Sequence, residues 1–313
     1  MPPCRVIFMG SPDFAVPCLE ALCAHPELFN VVGVVSQPDR PAGRGRVLTP
    51  PPVKVFAVAH KLSVLQPIKM KAEATHQSLR ELNPDVLVVA AYGRILPPAM
   101  LTLAPHGAIN VHASLLPRHR GASPINHMLL AGDADVGVTI MRMEEGLDTG
   151  PIYATRALPT PKGATAQSLT TLLANVGAEL LVTTLPKIVA GHITPQPQDH
   201  AQATFAPLLT KELGKLDFTK SATALERQVR AFFPWPSSYA FKGTQRVSIT
   251  QVAVVPQVSG APGEIVSADA QGIVVACGDG GLRLLQVQPE GKKAMPATAW
   301  LQGRGIAVGD KLG

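Results

Sequence analysis

Residues 5–36, RVIFMGSPDFAVPCLEALCAHPELFNVVGVVS, carry the pattern that decides the fold. Arg5–Met9 and Val31–Ser36 are short β-rich apolar runs, and Phe14–Ala24 between them reads as a helix. Strand, helix, strand is the grammar of a βαβ unit. The series continues through Asp85–Ala90, Ala108–Val111 and Val136–Met143, with helical patterns near Thr75–Leu82 and Pro124–Leu130. The runs are continuously apolar, as strands are when helices cover both faces of a sheet. The first part is therefore predicted to be α/β, with a mostly parallel sheet. From Thr165, the residues Leu169, Leu172, Leu173, Val176, Leu180, Leu181 and Ile188 recur at helical spacing. They give one long amphipathic helix with Gly191 as its C-cap.

Beyond that helix the grammar changes. His192–Pro207 is polar and proline-spaced, which reads as a linker. One helical pattern, Ala222–Phe232, then precedes runs at Arg246–Val255, Glu264–Ser267, Gly272–Ala276 and Gly281–Val287. Short strands with Gly or Pro between them predict a small β-barrel. The expected division is a first domain over 1–191, a linker over 192–207 and a second domain over 208–313. No internal repeat is visible.

A length of 313 residues, with 46% hydrophobic and 16% charged, suits about two domains and excludes a disordered chain. The longest unbroken apolar stretch, Val86 to Tyr92, is far short of the roughly 20 residues of a membrane helix. Pro2, Pro3 and Cys4 lead straight into Val6–Met9, which does not read as a signal peptide. The expectation is a soluble cytoplasmic protein, with a monomer as the default. Cys4, Cys18, Cys23 and Cys277 form no CxxC pair and read as reduced thiols, so no metal is expected. Residues 206–313 carry 12 Lys/Arg against 8 Asp/Glu, whereas 1–205 carry 16 against 14. The second part thus has the denser positive field, which suits a polyanion. All nine histidines precede residue 201.

Three segments can carry chemistry. In Ala108-Ile109-Asn110-Val111-His112, Asn110 and His112 are two apart at the end of a predicted strand, so they share one side of the sheet. Ligands of open α/β sheets bind beyond the carboxyl ends of strands. An amide donor and an imidazole there could stabilise an oxyanion and move a proton. Taken alone, the ordinary reading is Asn110 capping a turn and His112 as a satisfied loop histidine. In Glu144-Glu145-Gly146-Leu147-Asp148-Thr149-Gly150, Asp148 could orient an imidazole, although an Asp between glycines is ordinarily a turn former. The Gly/Pro-rich segment Gln37–Val47 bears Arg40, Arg44 and Arg46, a mobile basic finger suited to phosphates or simply a solvated loop. Gly10-Ser11-Pro12 lacks GxGxxG spacing, and there is no GxxxxGK[ST], GxSxG or HExxH.

Together these segments resemble the methionyl-tRNA formyltransferase family of folate-dependent formyltransferases. The likeness runs in order through Phe8–Ala15, Gln37–Gly45, Ala91–Pro97, Ile109–Arg118, Arg120–Ile125 and Gly146–Gly150. It extends to Phe233-Pro234-Trp235-Pro236 and Gly291-Lys292-Lys293-Ala294-Met295 in the second part. The resemblance implies a Rossmann-like catalytic domain using 10-formyltetrahydrofolate, followed by an OB-like barrel that holds initiator methionyl-tRNA. It maps the catalytic groups onto Asn110, His112 and Asp148, and folate binding onto Ser114, Leu115, Leu116 and Pro117. By the same analogy Arg40, Arg44 and Arg46 would approach the tRNA acceptor end. Two positions depart from the family pattern: Ala113 stands where glycine is common, and His119 where an aromatic residue is frequent. Rival readings are formyl transfer to a sugar-nucleotide amine, formyl-folate hydrolysis, or RNA binding without catalysis. The sugar enzymes leave the finger and barrel without a task, and pure RNA binding needs none of the three catalytic groups.

Overall fold

The computed structural model describes every residue except Met1, Gly43, Arg44, Arg46 and Arg304. The chain divides into two compact units. The first comprises Met1–Pro124, Asp135–Pro159 and Thr170–Ala206, and the second Ile125–Ala134, Thr160–Leu169 and Pro207–Gly313.

The first unit contains strands β1 (Cys4–Gly10), β2 (Phe29–Val35), β3 (Arg40–Ala42), β4 (Val47–Thr49), β5 (Val64–Leu65), β6 (Val86–Ala90), β7 (Ala108–His112), β8 (Asp135–Arg142) and β9 (Ile152–Pro159). Seven of them form one sheet in the order β5-β2-β1-β6-β7-β8-β9. Pairing is parallel from β5 to β7 and antiparallel at β7–β8 and β8–β9. Every residue of β6 and β7 is buried, which is why those runs lack polar alternation. Helices α1 (Val16–Cys23), α2 (Pro52–Ala59), α3 (Glu73–Arg80) and α4 (Pro98–Leu101) connect the parallel strands. On one face Ile7, Met9, Leu87 and Val89 pack with Leu79, Tyr92 and Met100.

Gln37–Val47, expected as a loop, contains paired backbone: β3 and β4 form a separate antiparallel ribbon, with Arg40 opposite Thr49. The predicted linker also departs from expectation. Residues 196–206 are held on the first unit, with Gln196 bridging Ile152 and Phe205 bridging Arg120. Their backbone groups find partners there, so the polarity of this stretch does not make it a free tether.

Helix α5 (Pro124–Ala131) and the first residues of α6 (Ala166–Val189) belong largely to the second unit. There the Asn126 amide donates to the Ala231 carbonyl (2.6 Å), and Arg230 to the Ala164 carbonyl (2.9 Å). By length and composition α6 could cross a membrane, but half of its apolar window is buried.

The second unit continues with α7 (Ala222–Ala231), β10 (Ser238–Lys242), β11 (Gln245–Val255), β12 (Ile265–Asp269), β13 (Gly272–Ala276), β14 (Gly281–Pro289), β15 (Met295–Pro296) and α8 (Ala297–Gln302). The sheet order is β10-β11-β14-β13-β12, with β15 also on β14, and every pair is antiparallel. The last residues join the two edges. Gly313 and Phe241 exchange both backbone bonds (2.9 and 3.0 Å), while Ile265 and Gly263 bond to residues 309–312. The sheet thereby closes into a small barrel around Leu225, Val247, Ile249, Val275, Leu284 and Trp300. Closure removes the exposed edges that an open sheet would present.

Candidate active site

Strand β7 lies between parallel β6 and antiparallel β8, with Asn110 beside Val89 and Met141. The two-residue period puts the Asn110 and His112 side chains on the same face. Both are nearly buried, at 8% and 5% exposed. The Asn110 carboxamide hydrogen-bonds to no described residue, so its donor and acceptor capacity is available to a ligand.

After His112 the chain folds back on itself. The Thr139 hydroxyl donates to the Ser114 carbonyl (2.7 Å) and accepts from the Leu116 amide (3.2 Å). The Ser114 hydroxyl donates to the Arg118 carbonyl (2.7 Å). Ser114 and Leu116 are buried, while Leu115 and Pro117 are half-buried. The Leu116–Pro117 peptide is cis. This turn brings the His119 carbonyl to 3.1 Å from His112 Nε2. A carbonyl only accepts, so Nε2 carries a proton and donates it. The other ring nitrogen, Nδ1, lies 3.7 Å from Asp148 Oδ2.

Asp148 sits on the segment joining β8 and β9 with a left-handed φ of 50°, uncommon for a residue with a side chain. Its Oδ2 accepts from the Gly121 amide (2.7 Å). Gly121 is itself at φ 121°, and a Cβ there would lie 2.7 Å from the Ala206 carbonyl oxygen. Sequence reasoning missed a second layer behind Asp148. The Gln198 amide nitrogen donates to the carbonyls of Asp148 (2.8 Å) and Gly150 (2.7 Å). Its oxygen accepts from Arg120 at Nε (3.1 Å) and at the terminal nitrogen (2.6 Å), which also donates to His200 Nδ1 (3.0 Å). Arg120 is only 3% exposed. Burial pushes its guanidinium below its ordinary value, and the nearby Asp148 carboxylate opposes that shift.

The structure therefore brings Asn110, His112 and Asp148 together, with Ser114–Pro117 as the adjoining turn. Arg40 is on β3, where it donates to the Gln37 carboxamide oxygen (2.6 Å); Arg44 and Arg46 fall outside the described residues. The root of that ribbon is clamped. Lys54 donates to both Asp39 oxygens (2.9 and 2.8 Å) and to Gln66 (2.9 Å). Gln37 donates to the Tyr92 carbonyl (2.7 Å). Among the described residues no group of three His, Cys, Asp or Glu side chains could hold a metal ion. An amide left open beside an imidazole–carboxylate pair can polarise a carbonyl and hold a proton, which is the equipment of acyl transfer.

The formyl transferase family pattern matches residues 4–185, and that of its C-terminal domain matches 208–305. Fold and site thus define a formyl-group transferase. Methionyl-tRNA formyltransferase of Citrifermentans bemidjiense is 45% identical over 99% of this chain and 96% of its own. The enzyme of that name from Thermus thermophilus is 46% identical over 99% of both. The chain belongs to the methionyl-tRNA formyltransferase family. Two solved structures share its fold at 16% identity. One is the N-formyltransferase of Helicobacter canadensis with folinic acid and dTDP-3-aminofucose (TM-score 0.68, 90% of this chain and 98% of that one). The other is HypX of Aquifex aeolicus with tetrahydrofolic acid (TM-score 0.65, 98% and 48%).

Proposed function

We propose that this protein transfers the formyl group of 10-formyltetrahydrofolate to the α-amine of methionine esterified to initiator tRNA, in the cytoplasm and as a monomer. The observation that carries the reading is the open Asn110 amide on the same strand face as His112, whose imidazole lies 3.7 Å from Asp148. Near-full-length relatedness to methionyl-tRNA formyltransferases supports the choice of acceptor over an amino sugar.

Free α-amines titrate near about 7.7–8.0, and esterification lowers that, so no strong base is needed. The amine attacks the formyl carbon and the carbonyl oxygen becomes an oxyanion. Asn110 donates to that oxygen, and His112 takes up at Nδ1 the proton that the attacking amine loses. The His119 carbonyl fixes the opposite edge of the ring, so a proton arriving at Nδ1 faces Asp148 and is stabilised there. The oxyanion then re-forms the carbonyl, the bond between the formyl carbon and N10 of the folate breaks, and the proton passes from His112 to that nitrogen. In this reading Ser114, Leu115, Leu116 and Pro117 form the folate-side turn, with the Ser114 hydroxyl shaping the loop. Residues 1–191 catalyse, residues 208–313 hold the tRNA, and Arg40, Arg44 and Arg46 of the Gln37–Val47 sequence meet its acceptor end.

The test is formyl transfer from 10-formyltetrahydrofolate to methionyl-tRNA, beside an amino sugar nucleotide and a control without acceptor, repeated for His112→Ala. The expected result is tRNA-dependent transfer that collapses in the variant. Equal formyl release without tRNA would make the protein a hydrolase. Rising salt should weaken tRNA binding steeply, because each phosphate contact adds to the slope.

A further inference from the structure

We propose that Gln198 is a positioning residue for formyl transfer, fixing the loop that presents the Asp148 carboxylate to His112. The inference rests on the reading of Asp148 and His112 given above.

All four hydrogen-bonding positions of the Gln198 carboxamide are used. Two donations go to the carbonyls of Asp148 and Gly150, and two acceptances come from Arg120. A glutamine so placed, at 7% exposed, grips the Asp148 loop from behind. That loop has to be gripped, because Asp148 holds a left-handed backbone that a residue with a side chain keeps only when its surroundings over-determine it.

The same stretch of chain also sets the other half of the pair. The Arg120 amide donates to the Thr204 carbonyl (2.9 Å), and the Ala206 amide donates to the Arg120 carbonyl (2.7 Å). The His119 amide donates to the Thr204 hydroxyl (2.9 Å). Residues 198–206 therefore fix three things together. They set the His119 carbonyl that orients the imidazole, the Gly121 amide that binds the Asp148 carboxylate, and the Asp148 backbone itself. Arg120 is a buried cation near enough for the Asp148 charge to act on it, and Gln198 bonds to both residues. Nothing in this set touches a reacting atom; it acts through Asp148.

The experiment compares Gln198→Ala and Gln198→Glu in the full chain, each alone and combined with Asp148→Asn. It measures kcat and KM for both substrates, together with thermal melts. Glutamate keeps the size and the pairing with Arg120 but cannot donate to the two loop carbonyls. The expected result is a kcat lower by about 10–100-fold in each single variant, with both KM values within about 3-fold, because misplacement by about 1 Å costs rates of this order. In the Asp148→Asn background the further loss should vanish, since residues acting as a unit are non-additive. Wild-type kcat in Gln198→Glu would overturn the proposal, and so would a full additional loss in the Asp148→Asn background. Failure of both variants to fold would overturn it too, making Gln198 a determinant of stability alone. A wild-type kcat in Asp148→Asn itself would instead remove the reading of Asp148 on which the inference stands.

Discussion

Replacing Gly150 with alanine asks whether the place of Asp148, and not only its presence, sets the rate. A Cβ built on Gly150 lies 1.9 Å from the Arg142 carbonyl oxygen and 3.2 Å from Met141 Cε, whereas ordinary contact begins at 3.4 Å. The Arg142 backbone is poorly able to yield. It ends β8, is in register with Ile109 of β7, and donates its amide to the Pro151 carbonyl (2.9 Å). The segment from Gly146 to Gly150 must therefore move, by about 1.5 Å to restore contact. Asp148 is two residues away, and Gly150 supplies one of the two carbonyls that Gln198 holds. A displacement of that size widens the 3.7 Å separation from His112. The expected loss in kcat is about 100-fold, with KM for tRNA and folate within about 3-fold. Overpacking costs about 1–3 kcal/mol against a typical total of about 5–15, so the fold should survive. Steady-state formyl transfer with varied methionyl-tRNA, beside a thermal melt, reads both effects. A folded Gly150→Ala enzyme with wild-type kcat would refute the argument that the loop's position governs the imidazole–carboxylate pair.

Asn110→Ala should lower kcat by about 10²–10³-fold, the worth of one oxyanion donor, while tRNA affinity barely changes; equal losses in both would contradict its role. Lys54→Met should raise KM for methionyl-tRNA and leave KM for folate unchanged, with faster amide exchange at Arg40 and Thr49, because it releases the Asp39 clamp at the root of the ribbon. Lys54 and then Gln66 hold the Asp39 carboxyl below its ordinary value. The clamp's contribution is therefore full above the ordinary Asp range and is lost as pH falls through the depressed value. The protection of those two amides, taken relative to their intrinsic exchange rate at each pH, should match at pH 7 and pH 5 and fall only in stronger acid. Deleting residues 309–313 should reopen the barrel edges at β10 and β12. Both tryptophans lie in the second unit and Trp300 is in its core, so a red-shifted emission and a lower unfolding midpoint would register the change.

Much of the fold was legible because burial on both faces leaves a plain mark. Beyond the charged residues that open them, the runs at Arg5–Met9 and Asp85–Ala90 had to be apolar, and each coincides with a central strand to within a residue or two. Where that cause is absent the reading failed. Strand β9 alternates between half-buried and exposed residues, and its pairing with β8 supplies what an apolar run would have signalled. Helix α2 is hidden behind Pro50-Pro51-Pro52, a run that suggests irregular chain, although Pro52 occupies the first helical position, where a missing N–H costs nothing. The ribbon at Arg40–Thr49 is only three residues deep on each side, too short for alternation to register.

The site divides along the same physical line. Asn110 and His112 are close in sequence and share a face by strand periodicity alone, so local reasoning could put them together. Asp148 could be nominated from its loop, but its approach to His112 depends on β7 and β8 pairing antiparallel, which no residue near it encodes. Gln198 carries no local signal at all. It follows Pro197 in a polar stretch that reads as a tether, and its partners Arg120 and Asp148 are 78 and 50 residues away along the chain. A glutamine acquires meaning only when two distant segments converge on its two ends, Arg120 at the oxygen and the Asp148–Gly150 loop at the nitrogen. The groups assigned to the chemistry are thus the legible ones, because strand and turn grammar display them. The groups that hold them in place are set by tertiary closure, and a substitution at Gln198 that spares every motif should still slow the reaction.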